Sequence, residues 1–394
     1  MDMTPSDIAL TLPTHAGGLE PFAMSTPHGF SLKQDGSWNR VAFAAAHVVA
    51  DPLADVSPTL EAAVDWDKTM AFRHRLWSLG FGVAEAMDTA QRGMGMDWPL
   101  ALELIKRSVA DAKTVEGAVV ASGAGTDQLE PAQARSLADV VSAYEEQIEA
   151  IEAIDGQIIL MASRALAKVA RSADDYAEVY QRILSQVRQP VIIHWLGDMF
   201  DPALTGYWGD ADLDRASDTA IAIINANAGH IDGIKVSLLD KDREIELRRR
   251  LDPKVRMYTG DDFNYAELIE GDARGHSDAL LGIFDAIAPA ASAALSALGR
   301  GDHQRFHEIL APTVALSRHI FKAPTRFYKT GVVFLAYLNG LQDHFTMLGA
   351  QQGCRSIAHL AELFRLADRA GLLDDPAQAA RRMRDVLAVH GIKG

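Results

Sequence analysis

Lys235 closes in on the end of an apolar run, His230-Ile-Asp-Gly-Ile-Lys-Val-Ser-Leu-Leu-Asp240, and a lysine so placed can act as a carbonyl nucleophile. Period-two alternation puts Ile231, Gly233, Lys235 and Ser237 on one face, with Asp232, Ile234 and Val236 on the other. If the lysine face lines a dry barrel interior, desolvation favours the neutral amine, which condenses with a ketone near neutral pH. The competing reading is a strand-end lysine whose head reaches water. His194, within Val191-Ile-Ile-His-Trp-Leu196, shares a face with Ile192 and Leu196 and is the matching candidate for moving protons. A lone histidine on an apolar face is otherwise a hydrogen-bonded core group.

Positioning these two residues requires strands, and apolar runs supply eight. They span 41–49, 81–87, 117–123, 157–162, 190–196, 231–237, 255–259 and 279–284. Amphipathic stretches at 65–79, 98–112, 131–154, 174–187, 212–227 and 240–250 read as the intervening helices. Strands without an alternating polar face are buried on both sides, which favours a parallel sheet under helices. The fold class expected is therefore α/β, a (β/α)8 TIM barrel with a C-terminal helical extension, ahead of an open doubly wound sheet. Residues 1–39 read as an irregular N-terminal arm, with a short hairpin around Asp35-Gly36. Residues 40–300 read as the barrel, and 301–394 as a helical extension packed on it.

Barrel active sites form where the strands end, so the residues closing each run are the candidates. His47 and Asp51 close the first run, and Glu85, Asp88, Thr89, Gln91 and Arg92 the second. Ser122, Thr126, Asp127 and Gln128 close the third, Ser163 and Arg164 the fourth, and Tyr258 to Asn264 the seventh. Asp127, Asp240 and Asp262 read equally well as helix N-caps or turn residues. The substrate-binding set expected from these ends is Glu85, Asp88, Thr89, Arg92, Gln128, Ser163, Gly260, Asp261 and Asp262, around catalytic Lys235 and His194. Gly123 and Gly125 lack the spacing of a dinucleotide loop.

From Arg40 to about Leu341 the chain resembles the dihydrodipicolinate synthase and N-acetylneuraminate lyase superfamily of class I aldolases, and more closely an uncharacterised bacterial branch of it. Gly233-Ile234-Lys235 is similar to the superfamily's Gly-Ile-Lys with the Schiff-base lysine, and Gly260-Asp261-Asp262 to its Gly-Asp-Asp. The helix pair after Pro289, with Gly301-Asp302 between, also fits. The resemblance implies a (β/α) barrel, Lys235 as imine-forming nucleophile, and a homo-oligomer, dimer or tetramer. Three departures accompany it. The carboxylate-binding Gly-Thr-Thr-Gly-Glu loop is Asp88-Thr89-Ala90-Gln91-Arg92 here, which leaves Arg92 to take over that anion. The fifth-strand tyrosine is His194, and the Tyr-rich fourth-strand segment is Met161-Ala162-Ser163-Arg164.

The leading expectation is a Schiff-base-forming lyase, aldolase or dehydratase, acting on a small ketone, 2-oxo acid or sugar-derived substrate. Because an iminium is itself an electron sink, no cofactor or metal is called for. One alternative is a divalent-metal sugar isomerase or epimerase using His47, Glu85, Asp127, His194 and Asp261; another is a non-catalytic sugar-binding barrel. A net charge of −15 over 394 residues disfavours nucleic acid and anionic membranes as partners. The single Cys354 fits a reducing compartment, and neither a signal peptide nor an apolar stretch of about 20 residues is seen, so the expected location is cytoplasmic. Phe321, Phe327, Tyr328, Phe334 and Tyr337 read as core, or as an oligomer interface.

Overall fold

The computed structural model describes residues 8–30 and 38–393. Eight apolar runs become eight parallel strands: β3 (Ala42–Ala45), β4 (Gly82–Glu85), β5 (Val120–Ala124), β6 (Gln157–Leu160), β7 (Val191–Leu196), β8 (Ile231–Ser237), β9 (Arg256–Thr259) and β10 (Asp278–Leu281). They close in the order β10-β3-β4-β5-β6-β7-β8-β9, a (β/α)8 barrel, with two strands, β1 (Ala9–Pro13) and β2 (Leu19–Ala23), preceding it. Alternation along each strand sends Phe43, Ala45, Ala84, Ala121, Ile159, Ile192, Tyr258 and Leu280 into the interior, where they cluster with Met87. Each fully buried Ile or Leu of such a layer contributes roughly 1.5–3 kcal/mol.

Two glycines make room for the rings of that layer. A Cβ on Gly82 would lie 2.6 Å from the Phe43 ring, and one on Gly233 would lie 2.6 Å from the Tyr258 ring. The two rings meet edge to face with centroids 6.0 Å apart. Below them, at the strand starts, Tyr258 Oη donates to Asp232 Oδ2 at 2.6 Å, and Arg256 pairs with Asp278 at 3.1 Å. Asp278 Oδ1 also accepts from the Val41 amide at 2.7 Å. This end of the barrel is thus filled and stapled.

Helix starts follow their caps. Ser136 and Asp139 form a reciprocal capping box, so the helix expected from Pro131 begins instead at Leu137 and runs to Glu152. Asp97 and Asp240 cap Trp98–Ala112 and Lys241–Arg250 by accepting from the amides of Leu100 and Arg243.

The chain divides into two compact units. One holds residues 40–46 and 81–282, including all eight barrel strands; the other holds 1–39, 47–80 and 283–394. In the second unit two stretches of the N-terminal arm, read from sequence as irregular, are strands. β1 pairs antiparallel with β2, and Leu10 and Leu12 are buried. Arg365, on the helix Ile357–Arg369, donates to Pro13 O at 3.1 Å, and Asp368 accepts from the Ser25 amide at 3.0 Å. The hairpin expected at Asp35-Gly36 lies outside the described residues. Phe321, Tyr328, Phe334 and Tyr337 are buried in this unit, with Phe321 stacked on Tyr328 at 4.3 Å.

Candidate active site

The register of β7 and β8 sets His194 opposite Lys235, and β9 sets Tyr258 on the other side of the lysine. Lys235 is 7% exposed, Ser237 2% and His194 1%. His194 Nε2 lies 3.2 Å from Ser237 Oγ, a hydrogen bond whose donor depends on the imidazole tautomer. Burial pulls the Lys235 ammonium below its ordinary pKa, against the opposing pull of the Asp262 and Asp88 carboxylates. Burial, then the Lys235 charge, holds His194 well below the ordinary histidine value, so the imidazole is neutral at physiological pH. Among the described residues no hydrogen bond or ion pair occupies the Lys235 amine. A buried, partly neutralised amine beside a neutral imidazole can attack a carbonyl and exchange protons with it.

Gly260 preserves the lysine's space. A Cβ there would lie 2.2 Å from Ser237 Oγ and 2.8 Å from Lys235 Cε. Asp262 follows two residues later and is buried; Asp88, half-buried, opens the turn Asp88–Ala90 beyond β4. Thr89 is buried within that turn. The chain enters it through Ala86, whose φ of 53° is the left-handed conformation that a residue with a side chain seldom takes. Asp88 and Asp262 are the sequence-derived candidates whose charge reaches Lys235.

The other candidates are occupied by the protein itself. Glu85 accepts from the Ala86 amide at 2.9 Å and from Ser108 Oγ on the helix Trp98–Ala112. Ser163 caps the short helix Arg164–Val169 and meets Thr126 Oγ1 at 2.6 Å. Asp261 accepts from the amides of Phe263 and Asn264 and from the Asn264 side chain. Gln128 donates to Ala143 O and accepts from Gln147 Nε2.

Arg92, expected to bind a substrate carboxylate, has its donors engaged within the protein. A guanidinium has five N–H donors, and all five are spent. Nε and Nη2 grip Asp127 at 2.9 and 2.7 Å, and Nη2 also reaches Gln147 Oε1 at 2.6 Å. Nη1 donates to Gly123 O at 2.8 Å and Ala86 O at 3.3 Å. The guanidinium carbon lies 5.0 Å over the Trp98 ring. Burial would raise the Asp127 pKa, but the Arg92 charge and the bonds from Arg92 and Gln147 outweigh it and hold the carboxyl below the usual range. This network pins the loops after β4 and β5 to each other.

The five residues weighed as metal ligands are not assembled into a donor set. Glu85, Asp127 and Asp261 are bonded as above, and among the described residues no three His, Cys, Asp or Glu side chains converge on one point. His47 belongs to the second unit, where its Nδ1 lies 2.8 Å from Asp285 Oδ2.

Sequence reasoning did not rank Ser237 as a site residue, although its place two positions beyond Lys235 on the same face was visible. It also passed over Glu244, buried on the helix Lys241–Arg250, whose carboxyl accepts from Ser277 Oγ at 2.7 Å and Thr259 Oγ1 at 3.0 Å. Burial, despite those bonds, pushes the Glu244 pKa up to about 8. Between the ordinary glutamate value of 4.5 and about 8 the unfolded chain has lost a proton that the folded one keeps, so stability falls as pH rises through that window. Glu244→Gln should therefore gain on the parent by about 1–3 kcal/mol between roughly pH 5 and pH 8 in urea unfolding. A gain that stays flat with pH would show that Glu244 is not the linked group.

Residues 10–392 match the family model described as "Protein of unknown function (DUF993)". The chain belongs to this DUF993 family. No match is found among curated proteins. Among solved structures, this DUF993 chain is similar to dihydrodipicolinate synthase from Oceanobacillus iheyensis, at 13% identity and a TM-score of 0.60, covering 83% of this chain and 96% of the other. It is also similar to YagE from E. coli K12, a prophage protein of the dihydrodipicolinic acid synthase family, at 13% identity and a TM-score of 0.62, covering 90% and 100%. The enzyme from Cyanidioschyzon merolae matches at 15% and 0.61, covering 86% and 100%. At such identities the likeness is one of fold, and it is the barrel fold of dihydrodipicolinate synthases. No helix among the described residues is long and apolar enough to cross a membrane.

Proposed function

We propose that the protein is a Schiff-base-forming lyase, an aldolase or hydro-lyase acting on a small carbonyl substrate. The observation that carries this reading is a buried Lys235 set in register with a buried, neutral His194 at the C-terminal ends of adjacent barrel strands. Neutral Lys235 Nζ adds to the carbonyl carbon, forming a C–N bond while the carbonyl oxygen takes up a proton. The carbinolamine then expels that oxygen as water and leaves an iminium. In an aldolase the Cα–Cβ bond breaks, its electron pair enters the iminium to give an enamine, and His194 takes the proton of the β-hydroxyl; in a hydro-lyase His194 takes the α-proton, whose C–H pair forms the enamine, and returns it to the β-oxygen, which leaves as water with the C–O pair. Protonation of the enamine and hydrolysis of the imine return the free lysine.

The YagE structure contains pyruvate, a ketone, which agrees with carbonyl chemistry in this fold. Association into a dimer or tetramer is part of the same proposal. The test is borohydride reduction in the presence of a panel of ketones and aldehydes, followed by peptide mass spectrometry. The expected result is a reduced adduct on Lys235. His194→Phe should still be trapped while turnover drops by about 10²- to 10⁴-fold. A lysine left unmodified by the whole panel sinks the reading.

A further inference from the structure

Lys235 stands one step beyond the filled layer of the barrel. Ile192 and Tyr258 belong to that layer, and His194 and Gly260 follow each of them by two residues on the same face. On β5 the inward position after Ala121 is Gly123, and the room it leaves is taken by two thioethers. A Cβ there would lie 2.7 Å from Met161 Sδ and 3.1 Å from Met87 Sδ. Met87 is part of the interior cluster, and Met161 packs against it. The parallel register of β6 and β7 pairs Leu160 with Ile193, so its next step sets Met161 beside His194, which is itself paired with Lys235. At the usual strand spacing, the Cα atoms of Met161 and Lys235 are about 10 Å apart, a gap that two inward side chains bridge with a small ligand between them.

Met87 is 2% exposed, whereas Met161 keeps part of its surface open. An inward side chain that still meets solvent does so through the mouth of the barrel, so Met161 borders the space that a ligand of Lys235 enters. That space has two unlike sides. β7 and β8 supply the imidazole, the amine and the Ser237 hydroxyl; β5 and β6 supply glycine and thioether. An alkyl group laid against methionine gains by leaving water, and the flexible, polarisable side chain adapts to its shape. A hydroxyl laid there gives up its water without a strong partner in return.

We propose that the carbonyl compound condensed by Lys235 carries an apolar substituent that lies against Met161, which makes Met161 a specificity-determining residue. This rests on the imine reading above and narrows its substrate class. The covalent step is unchanged: a C–N bond forms and the carbonyl oxygen leaves as water.

The test is reductive trapping on the full-length protein near neutral pH, at subsaturating ketone, read as mass gain at Lys235. Acetone, 2-butanone and 2-pentanone lengthen by one methylene at a time, and hydroxyacetone replaces one methyl of 2-butanone by a hydroxyl. Each rate is divided by that of free Nα-acetyl-lysine to remove intrinsic reactivity. Trapping should rise roughly fourfold per methylene, and 2-butanone should exceed hydroxyacetone by at least about tenfold. Met161→Gln, similar in length but polar, should narrow that ratio at least about threefold, while Met161→Leu keeps it. A ratio taken within one variant cancels any change in folded fraction or in the amine, and the wild-type series decides even where Met161→Gln does not fold. Hydroxyacetone trapped as fast as 2-butanone would overturn the proposal while leaving the imine reading intact. A ratio unmoved by Met161→Gln would overturn it as well. Adducts with none of these ketones, and none with the wider panel, would remove both.

Discussion

Lys235→Met should abolish reductive trapping and lower turnover of any substrate found for the wild type by at least about 1,000-fold, because Lys235 is the amine set in register with His194. The same substitution should stabilise the protein. A buried ammonium costs free energy that a methionine of similar length does not, so the variant should gain about 1–3 kcal/mol near neutral pH. The sign of the pH dependence follows from the direction of the shift. The folded-state pKa of Lys235 lies below the ordinary 10.5, so between the two values the unfolded chain binds more protons than the folded one. Wild-type stability therefore climbs with pH through that window as the penalty disappears. The advantage of Lys235→Met should be largest below it and shrink toward pH 10.5, as urea unfolding at several pH values would show. A variant that loses stability at neutral pH would mean that the lysine is held by partners rather than poised to react.

The barrel was readable because its signal is local. Ile231–Ser237 and Trp98–Ala112 begin and end where pattern and caps put them, since alternation, helical period and an N-terminal Asp are written within a few residues. β1 and β2 were missed for a related reason. Leu19–Ala23 is mostly exposed and contains Pro21, so it carries no buried stripe, and the partnership of β1 with a C-terminal helix spans some of the longest separations in the chain. The site divides along the same line. Lys235 and His194 follow from strand periodicity, and their neighbour Ser237 lay on the same face for the same reason. What a polar strand end bonds to does not follow from its spacing. Glu85 turns to Ser108 on the following helix, and Gln128 to Gln147 on another. Both partners sit on buried helix faces, where sequence patterns lead one to expect apolar side chains.

Arg92→Met, by contrast with the lysine, should be among the most damaging substitutions to the fold. It takes the guanidinium donors away from the Asp127 carboxylate and the Gln147 amide oxygen, which keep bonds from Gln147 Nε2 and the Gly125 amide, and from the carbonyls of Gly123 and Ala86. The Asp127 side chain is 25% exposed and keeps a bond from Gln147, so the loss is about 2–4 kcal/mol, spread over the carboxylate and the buried oxygens left short of a donor. Asp127 supplies the pH signature. With Arg92 present its folded pKa is depressed, so its contribution to stability is full above the ordinary aspartate value of 3.8 and is lost as pH falls through the folded value. Without Arg92 burial prevails, the carboxyl can protonate inside the fold, and the gap between variant and wild type should narrow on acidification. Urea unfolding near neutral pH and again at about pH 4 measures that narrowing. Trapping then separates the network role from the role first expected of this arginine. A clamp for a substrate carboxylate would, on removal, depress pyruvate trapping selectively. A saturated structural arginine should leave the pyruvate-to-dihydroxyacetone ratio where it was in whatever fraction of the variant remains folded.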